Sequence, residues 1–397
     1  MLRTDTFAFT ALLALLTSFG PLSVDLYLPS MPFIGRALDA PPAQVQLTVT
    51  LYLAGYAIGQ FIYGPISDRL GRTPILISSF VIYVAAALVC LLAPTIEVLI
   101  SARVVQALGV SGALVVARAV VRDLYEGVRA GHQLSKMSML MGLAPIIGPL
   151  VGGTLQTFFG WRANFAFLAV IGTVTGFLVW RFLPETRAGR AGAPLTDLLR
   201  SYRRIARHPA FLTNTAVGAI GFSGLFAWIV ASPFVLQELF GLSAIGYALA
   251  YAVSCSGFLV GGILATRIVL RLGLDRTAGL GAGALALAGI GMLIAAAGLS
   301  PAPMMTVSMA LYLFGLGLLV SQMVAAALTP FPEDAGAASA LIGFSHQCAG
   351  ALMGAIVGYS LGPSAWPMTA GIALAGATTL VLWIATRRLR TVPATAG

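Results

Sequence analysis

The chain has 397 residues, of which 58% are hydrophobic and only 9% charged, and its mean hydropathy is +0.93. Soluble proteins average about 25% charged residues. The figures therefore exclude a soluble enzyme, a disordered scaffold and a fibrous protein, and leave an all-α polytopic membrane protein.

Apolar runs separated by charged or proline-rich breaks predict twelve helices, near 7–31, 44–65, 75–93, 97–120, 134–159, 164–183, 210–233, 243–266, 277–298, 304–327, 337–360 and 365–386. Most match the roughly 20 apolar residues that a span needs. The first run has one basic residue before it, Arg3, and no small-residue cleavage pattern. More spans follow, so it reads as a retained helix and not as a signal peptide. The longest break, 184–209, carries Arg187, Arg190, Arg200, Arg203, Arg204 and Arg207. It predicts a six-helix half at 1–183, a linker at 184–209 and a second six-helix half at 210–397. That plan suits a transporter that rocks two halves around a central site.

The net charge of +10 is a topology signal. With the N-terminus in the cytoplasm, the basic residues on that side are Arg3, Arg69, Arg72, Arg122, Arg129, Lys136, Arg181, the six linker arginines, Arg267, Arg271, Arg276, Arg387, Arg388 and Arg390. Arg36 and Arg162 fall outside, and Arg103 and Arg118 fall within a span. The bias places both termini in the cytoplasm by the positive-inside rule. No nucleic-acid partner is expected.

The two halves echo each other weakly. The first span closes on Asp25-Leu-Tyr27-Leu-Pro29 and the seventh on Ile229-Val-Ala-Ser-Pro233. Gly64 to Arg72 after the second span has a counterpart in Gly262 to Gly273 after the eighth.

Elimination singles out Asp25. Of the 13 acids, all others (Asp5, Asp39, Asp68, Glu97, Asp123, Glu126, Glu185, Asp197, Glu238, Asp275, Glu333 and Asp334) fall in loops or at helix ends. A proton-coupled pump needs a buried group that loses and regains a proton, and low dielectric raises a carboxyl pKa toward the working range. A cap or a static ion pair with Arg103 is the structural alternative. If the first span stops at Met31, Asp25 is about 9 Å from its outer end, as is Arg103 from the start of the fourth span. Matched depth permits contact between them. A buried arginine costs several kcal/mol unless paired or hydrated, which marks Arg103 as functional. Arg118 stands near the cytoplasmic end, where it can snorkel.

The loop Gly64-Pro-Ile-Ser-Asp68-Arg69-Leu-Gly71-Arg72-Thr73-Pro74 resembles the cytoplasmic loop motif of the major facilitator superfamily, with Thr73 replacing its last basic residue. The glycine at 64 would let the second span pack closely. Asp68 would cap the third helix or pair with Arg72. The resemblance implies that Asp68, Arg72 and Asp123 form a charge cluster that closes the cytoplasmic side, built of exposed pairs each worth about 0–1 kcal/mol. Arg103-Val-Val-Gln106-Ala-Leu-Gly109 resembles the fourth-helix motif of proton-driven exporters in that superfamily. Ala144-Pro145-Ile-Ile-Gly148-Pro149-Leu-Val-Gly152-Gly153 is similar to the fifth-helix motif of its exporter branch, and two prolines and several glycines make a bent, close-packing helix. With Arg118-Ala-Val-Val-Arg122-Asp123-Leu, Trp161-Arg162 and Leu183-Pro184-Glu185-Thr186, the first half resembles the Bcr/CflA group of drug-resistance exporters. In the second half the best fit is Ala335-Gly336-Ala-Ala-Ser339-Ala340-Leu341.

That resemblance implies export of an amphipathic drug-like compound in exchange for protons across a bacterial inner membrane, with Asp25 carrying the proton and Arg103 tuning it. Thr17 and Ser18 stand where some relatives have a second acid, which argues against multiply charged cations as substrates. Tyr27, Tyr52, Tyr56, Phe226, Trp228, Tyr247, Tyr251, Gln322 and His346 are candidates for a substrate cavity, each against the alternative of ordinary packing; His346 could also titrate. A proton-symporting uptake permease shares the fold. A membrane-embedded enzyme would need clustered His, Asp or Glu, and Cys90, Cys255 and Cys348 have no disulfide or metal spacing. No Walker-type motif points to ATP. A monomer without cofactor or metal, in a lipid bilayer, is the expectation.

Overall fold

The computed structural model describes residues 6–125, 127–186, 195–298, 301–331 and 334–390. Arg3, Asp5, Glu126, Arg187, Arg190 and Glu333 lie outside the described residues. Among those described, eleven helical stretches are long and apolar enough to cross a membrane. One of them, α11 (Ala244–Ala296), is broken at Gly273 (φ 75°, ψ 173°), and dividing it there gives the twelve expected spans.

The first span differs most from expectation. It does not stop at Met31. Helix α1 (Phe7–Asp25) gives way to a turn and a 3₁₀ segment (Leu28–Ser30), and α2 (Met31–Ala37) carries the chain on. Proline has no N–H, so Pro29 leaves the carbonyl of Asp25 without its i+4 donor, and the α-helix ends there. Asp25 is therefore twelve residues from Ala37. Arg36, expected in an outer loop, sits in the last turn of α2.

Helices α3 (Pro42–Leu70), α4 (Arg72–Leu92) and α5 (Ile96–Leu124) follow, and α5 packs against α1, α3 and α4. The fifth span is broken into α6 (Gly127–Met141) and α7 (Ala144–Phe159). Pro145 cannot donate to Met141, which accounts for the break at Gly142 and Leu143. Helix α8 (Arg162–Phe182) ends the first half. The linker is not wholly irregular, since α9 (Leu195–Ile205) lies within it.

Helix α10 (Pro209–Phe234) runs on through a π-helical turn, Val235–Leu239, beyond the expected end at 233. Pro233 acts on the carbonyl of Ile229 as Pro29 acts on Asp25. The expected loop 267–276 is helical as far as the break at Gly273. Helices α12 (Pro301–Leu328), α13 (Ala335–Tyr359), α14 (Trp366–Ala385) and α15 (Arg387–Arg390) complete the chain, with α10 packed on α12, α13 and α14.

Two compact units result. The first is Met1–Gly192 with Leu242–Leu249, and the second is Ala193–Gly241 with Ala250–Gly397. The segment 242–249 joins the first unit because Gly153 of α7 lies against the carbonyl of Ala244 and the Cβ of Ala248. Large apolar side chains such as Val81, Val170, Val307 and Leu374 are exposed on the spanning helices. Apolar exteriors of this kind suit lipid and not water. The chain is a multi-pass membrane protein.

Candidate functional site

Asp25 occupies the broken end of α1 and is 4% exposed. The fifth-span motif packs directly on this break. A Cβ on Gly148 would stand 3.1 Å from the Cβ of Asp25, and one on Gly152 would overlap the carbonyl of Leu26. Pro149 is buried inside α7, one residue from Gly148. The glycines are thus needed because the backbone of α1 leaves its helical path at this level and crosses α7 at close range. Gly152→Val is expected to force α1 and α7 apart, with an overpacking cost of about 1–3 kcal/mol. Drug transport should be lost while Gly160→Ala, at a site with no neighbour within 4 Å, disturbs only its own turn. Vesicle transport corrected for the amount of inserted protein checks this.

Arg103 of α5 is fully buried. Its Nη1 donates to the carbonyl of Ser23 at 3.2 Å and to Oε1 of Gln106 at 2.7 Å. The guanidinium lies 4.0 Å from the centroid of the Tyr52 ring and 5.0 Å from that of Tyr27. Buried cation–π contacts are worth about 2 kcal/mol. Arg103 therefore reaches α1 two residues before Asp25. This contact places them at one level. The helix-end depths do not, because Pro29 bends the span without ending it. The spacing Arg103, Gln106, Gly109 follows from one helix face: Gln106 orients the arginine, and Gly109 brings the backbone of α5 against Ser79 and Tyr83 of α4. Arg118, farther along α5, is exposed.

Of the aromatic candidates in the first unit, Tyr27, Tyr52 and Tyr56 are buried. The hydroxyls of Tyr27 and Thr48 are 2.5 Å apart, Tyr52 donates to the carbonyl of Gly20 at 3.2 Å, and the Tyr52 and Tyr56 rings stack 6.3 Å apart. Tyr247, in the segment that joins this unit, is also buried. In the second unit, Trp228, Tyr251, Gln322 and His346 are buried. His346 stacks on Phe222 at 5.2 Å, and Phe226 fills the space beside Gly350. The candidates thus fall into two groups, one in each unit, and Tyr27 and Tyr52 of the first flank Arg103.

Asp68 of the loop motif and Asp123 of α5 come together around Arg72, the first residue of α4. Its guanidinium meets Asp68 at 2.7 Å and Asp123 at 2.9 Å, and donates to Ser67 Oγ at 2.7 Å. Asp68 thus pairs with Arg72, and the helix start is satisfied by another acid. Glu185 accepts from the backbone N–H of Arg72 at 2.9 Å and of Thr73 at 3.0 Å. A carboxylate there is favoured by the helix dipole and fills donors that have no partner within the helix. Thr186 adds a hydroxyl bond to Asp123 at 3.1 Å. The motif's second glycine is required: Gly71 has φ 97°, and a Cβ there would meet the Glu185 carboxylate. The expected close packing at Gly64 is not found; its nearest neighbour, Val115, is at ordinary contact distance. Gly59 and Gly55, earlier on the same helix, make the close approaches to α5 instead. Arg69 is exposed. Glu185 was legible in the sequence only as part of Pro184-Glu185-Thr186, with nothing to give it a partner 112 residues away.

The pairs around Arg72 are unevenly exposed. The Arg72 side chain is 3% exposed, that of Asp123 16% and that of Asp68 36%. Loss of a partner of the buried Arg72 costs more than the roughly 0–1 kcal/mol of a fully exposed pair. Asp123→Asn is therefore expected to harm transport more than Asp68→Asn, whose side chain is 36% exposed. Both should insert in the membrane. Transport per inserted molecule measures the difference, and full activity in both variants would reduce the cluster to a basic turn.

The second unit repeats the break with other chemistry. Gly273 takes nearly the conformation of Gly71. Beyond it, Asp275 pairs with Arg390 of α15 at 2.5 Å.

Residues 13–355 match the family model described as Major Facilitator Superfamily. The chain belongs to this superfamily. It is 30% identical over 332 residues to "Multidrug resistance protein D" of Escherichia coli (strain K12), covering 84% of each chain. It is 27% identical over 366 residues to a "Bicyclomycin resistance protein homolog" of Haemophilus influenzae, covering 92% of each. These relatives bear out the resemblance to the Bcr/CflA group drawn from the motifs. Among solved structures it superposes on a peptide transporter in complex with sulfate, with a TM-score of 0.80, 14% identity and coverage of 98% of this chain and 97% of that one. At that identity the likeness concerns the fold.

Proposed function

We propose that the protein exports amphipathic drug-like compounds across a bacterial inner membrane in exchange for protons. The observation that carries this reading is the buried Asp25 at a break in α1, with α7 packed on the break and Arg103 bonded to the same helix at Ser23. Multidrug resistance protein D and the bicyclomycin resistance homolog are similar over most of the chain, which supports a drug as the cargo. In the cycle, substrate entering from the cytoplasm favours the deprotonated form of Asp25, and the proton leaves inward. After reorientation, a proton from outside returns to Asp25 and displaces the substrate. Arg103 stabilises the carboxylate while substrate is bound. Asp68, Arg72 and Asp123, braced by Glu185, hold the cytoplasmic side closed in the outward-open state. The protein acts as a monomer in the bilayer, with the six-helix halves as the moving parts, and without ATP.

A drug-susceptibility panel in a pump-deficient host, with and without a protonophore, tests the reading. Resistance that the protonophore removes supports it. Accumulation of the compound inside the cell would instead identify an uptake permease.

The basic residues orient the chain with both termini in the cytoplasm. Reporter fusions at Arg200 and Thr391 are expected to read cytoplasmic, and one at Asp39 external. A periplasmic signal at Arg200 would overturn the six-plus-six plan.

A further inference from the structure

We propose that α9 is an anionic-lipid binding site, which holds phosphatidylglycerol-type headgroups at the membrane surface beside the second unit. The arginines of this segment form a stripe. Arg200, Arg203 and Arg204 lie on α9 and Arg207 in the turn that follows, spaced i, i+3, i+4 and i+7, which puts them on one helical face. All four are exposed. The other face is anchored. Ile205 is fully buried in a cluster with Phe211, Ala327, Phe331, Ala338 and Ile342, and Tyr202 is half-buried. Ser201 donates to Asp334 at 3.0 Å, and Arg204 pairs with the same carboxylate.

These anchors fix the level of the stripe. Asp334 is the N-cap residue of α13, and His208 is that of α10, three residues after α9 ends. Both helices are of membrane-spanning length. The arginines therefore stand within about two turns of where two spans begin, at headgroup level. At that level long arginine side chains reach lipid phosphates, to which basic residues near the surface are drawn. The ordering cost of the helix is already met by Ile205 and by the pairing of Arg204 with Asp334, so the headgroups meet Arg203 and Arg207 as preformed planar donors suited to phosphate. Charge bias alone would orient the chain equally well with the arginines scattered along a mobile loop; it does not require a docked helix with one basic face.

The test uses the full-length protein in nanodiscs, with spin-labelled phosphatidylglycerol and phosphatidylcholine as probes. Wild type should hold the anionic probe in preference to the zwitterionic one. Arg203→Gln with Arg207→Gln should reduce that preference, by up to about five-fold for each arginine removed. The charge-matched pair Arg36→Gln with Arg162→Gln should leave it unchanged. Raising the salt to 0.5 M on the order used for screening should weaken the preference in wild type and change the α9 variant little. Equal retention of both probes by wild type would overturn the proposal, as would an undiminished preference in the α9 variant. If that variant fails to fold, the single substitution Arg203→Gln, at an exposed side chain, gives the same reading. Lipid retention does not depend on transport, so its result stands apart from the drug-export reading.

Discussion

Asp25→Asn is expected to reduce proton-driven drug efflux to the level of vesicles lacking the protein, while the variant still folds and inserts. Asparagine keeps the size of the side chain and its capacity to accept a hydrogen bond, so the packing of Gly148 and Gly152 on the break should survive. What it loses is the proton. Asp25 is the acid that the fold buries deep in a span, at 4% exposure, whereas Asp68 and Asp123 pair with Arg72 near helix ends. Substrate binding, read by quenching of protein fluorescence, should weaken but stay measurable at higher drug concentration, because asparagine stands in for the protonated carboxyl that displaces the substrate. Efflux in everted vesicles driven by an imposed pH gradient should not respond to that gradient. Gradient-driven efflux at the wild-type rate would leave Asp25 with a purely structural role as the last residue of α1.

Arg103→Ala is the second large effect. The substitution removes hydrogen bonds to Ser23 and Gln106 and the contacts with the Tyr27 and Tyr52 rings, all in a fully buried place. It also removes a positive charge bonded to α1 two residues before Asp25. Leaving the carbonyl of Ser23 and Oε1 of Gln106 buried without their donor costs about 1–3 kcal/mol each. Arg103→Lys keeps the charge but not the planar guanidinium that lies against the Tyr27 and Tyr52 rings. Transport should therefore fall in the order wild type, lysine, alanine, with the pH dependence of efflux displaced in the lysine variant. A lysine variant as inactive as alanine would show that the ring contacts matter and the charge alone does not suffice.

Much of the fold was legible because membrane spans are written in composition. Nearly every run of apolar residues became a helix, and the charged breaks marked their ends. The errors have local causes. Pro29 and Pro145 were read as an end and as part of a bend, but a proline removes one donor, and the chain then continues as a second helical piece. The 8–9 loop was expected where basic residues accumulate, yet Arg267 and Arg271 extend the helix to Gly273, since arginine is a good helix former.

The site was legible in its ingredients and not in its contacts. Asp68, Arg72 and Asp123 could be grouped from the motif, and the structure brings them within 3 Å of one another through Arg72. Glu185 could not, because a long-range cap leaves no periodicity behind. Arg103 announced itself as a charge inside a span, but that it bonds to the carbonyl of Ser23 depends on how α1 turns against α5. For the aromatics, residue type says only that they are large. The grouping of Tyr27 and Tyr52 around a guanidinium required coordinates.

Substrate-induced proton release tests the central claim most directly. Purified protein at neutral pH in weak buffer, with a pH-sensitive dye, is mixed with a transported drug. Wild type should release protons on binding, and Asp25→Asn, at drug concentrations raised to saturate its weakened site, should release none. Proton release that persists in Asp25→Asn would contradict the account and move the coupling site elsewhere, with His346 of α13 the next group to replace.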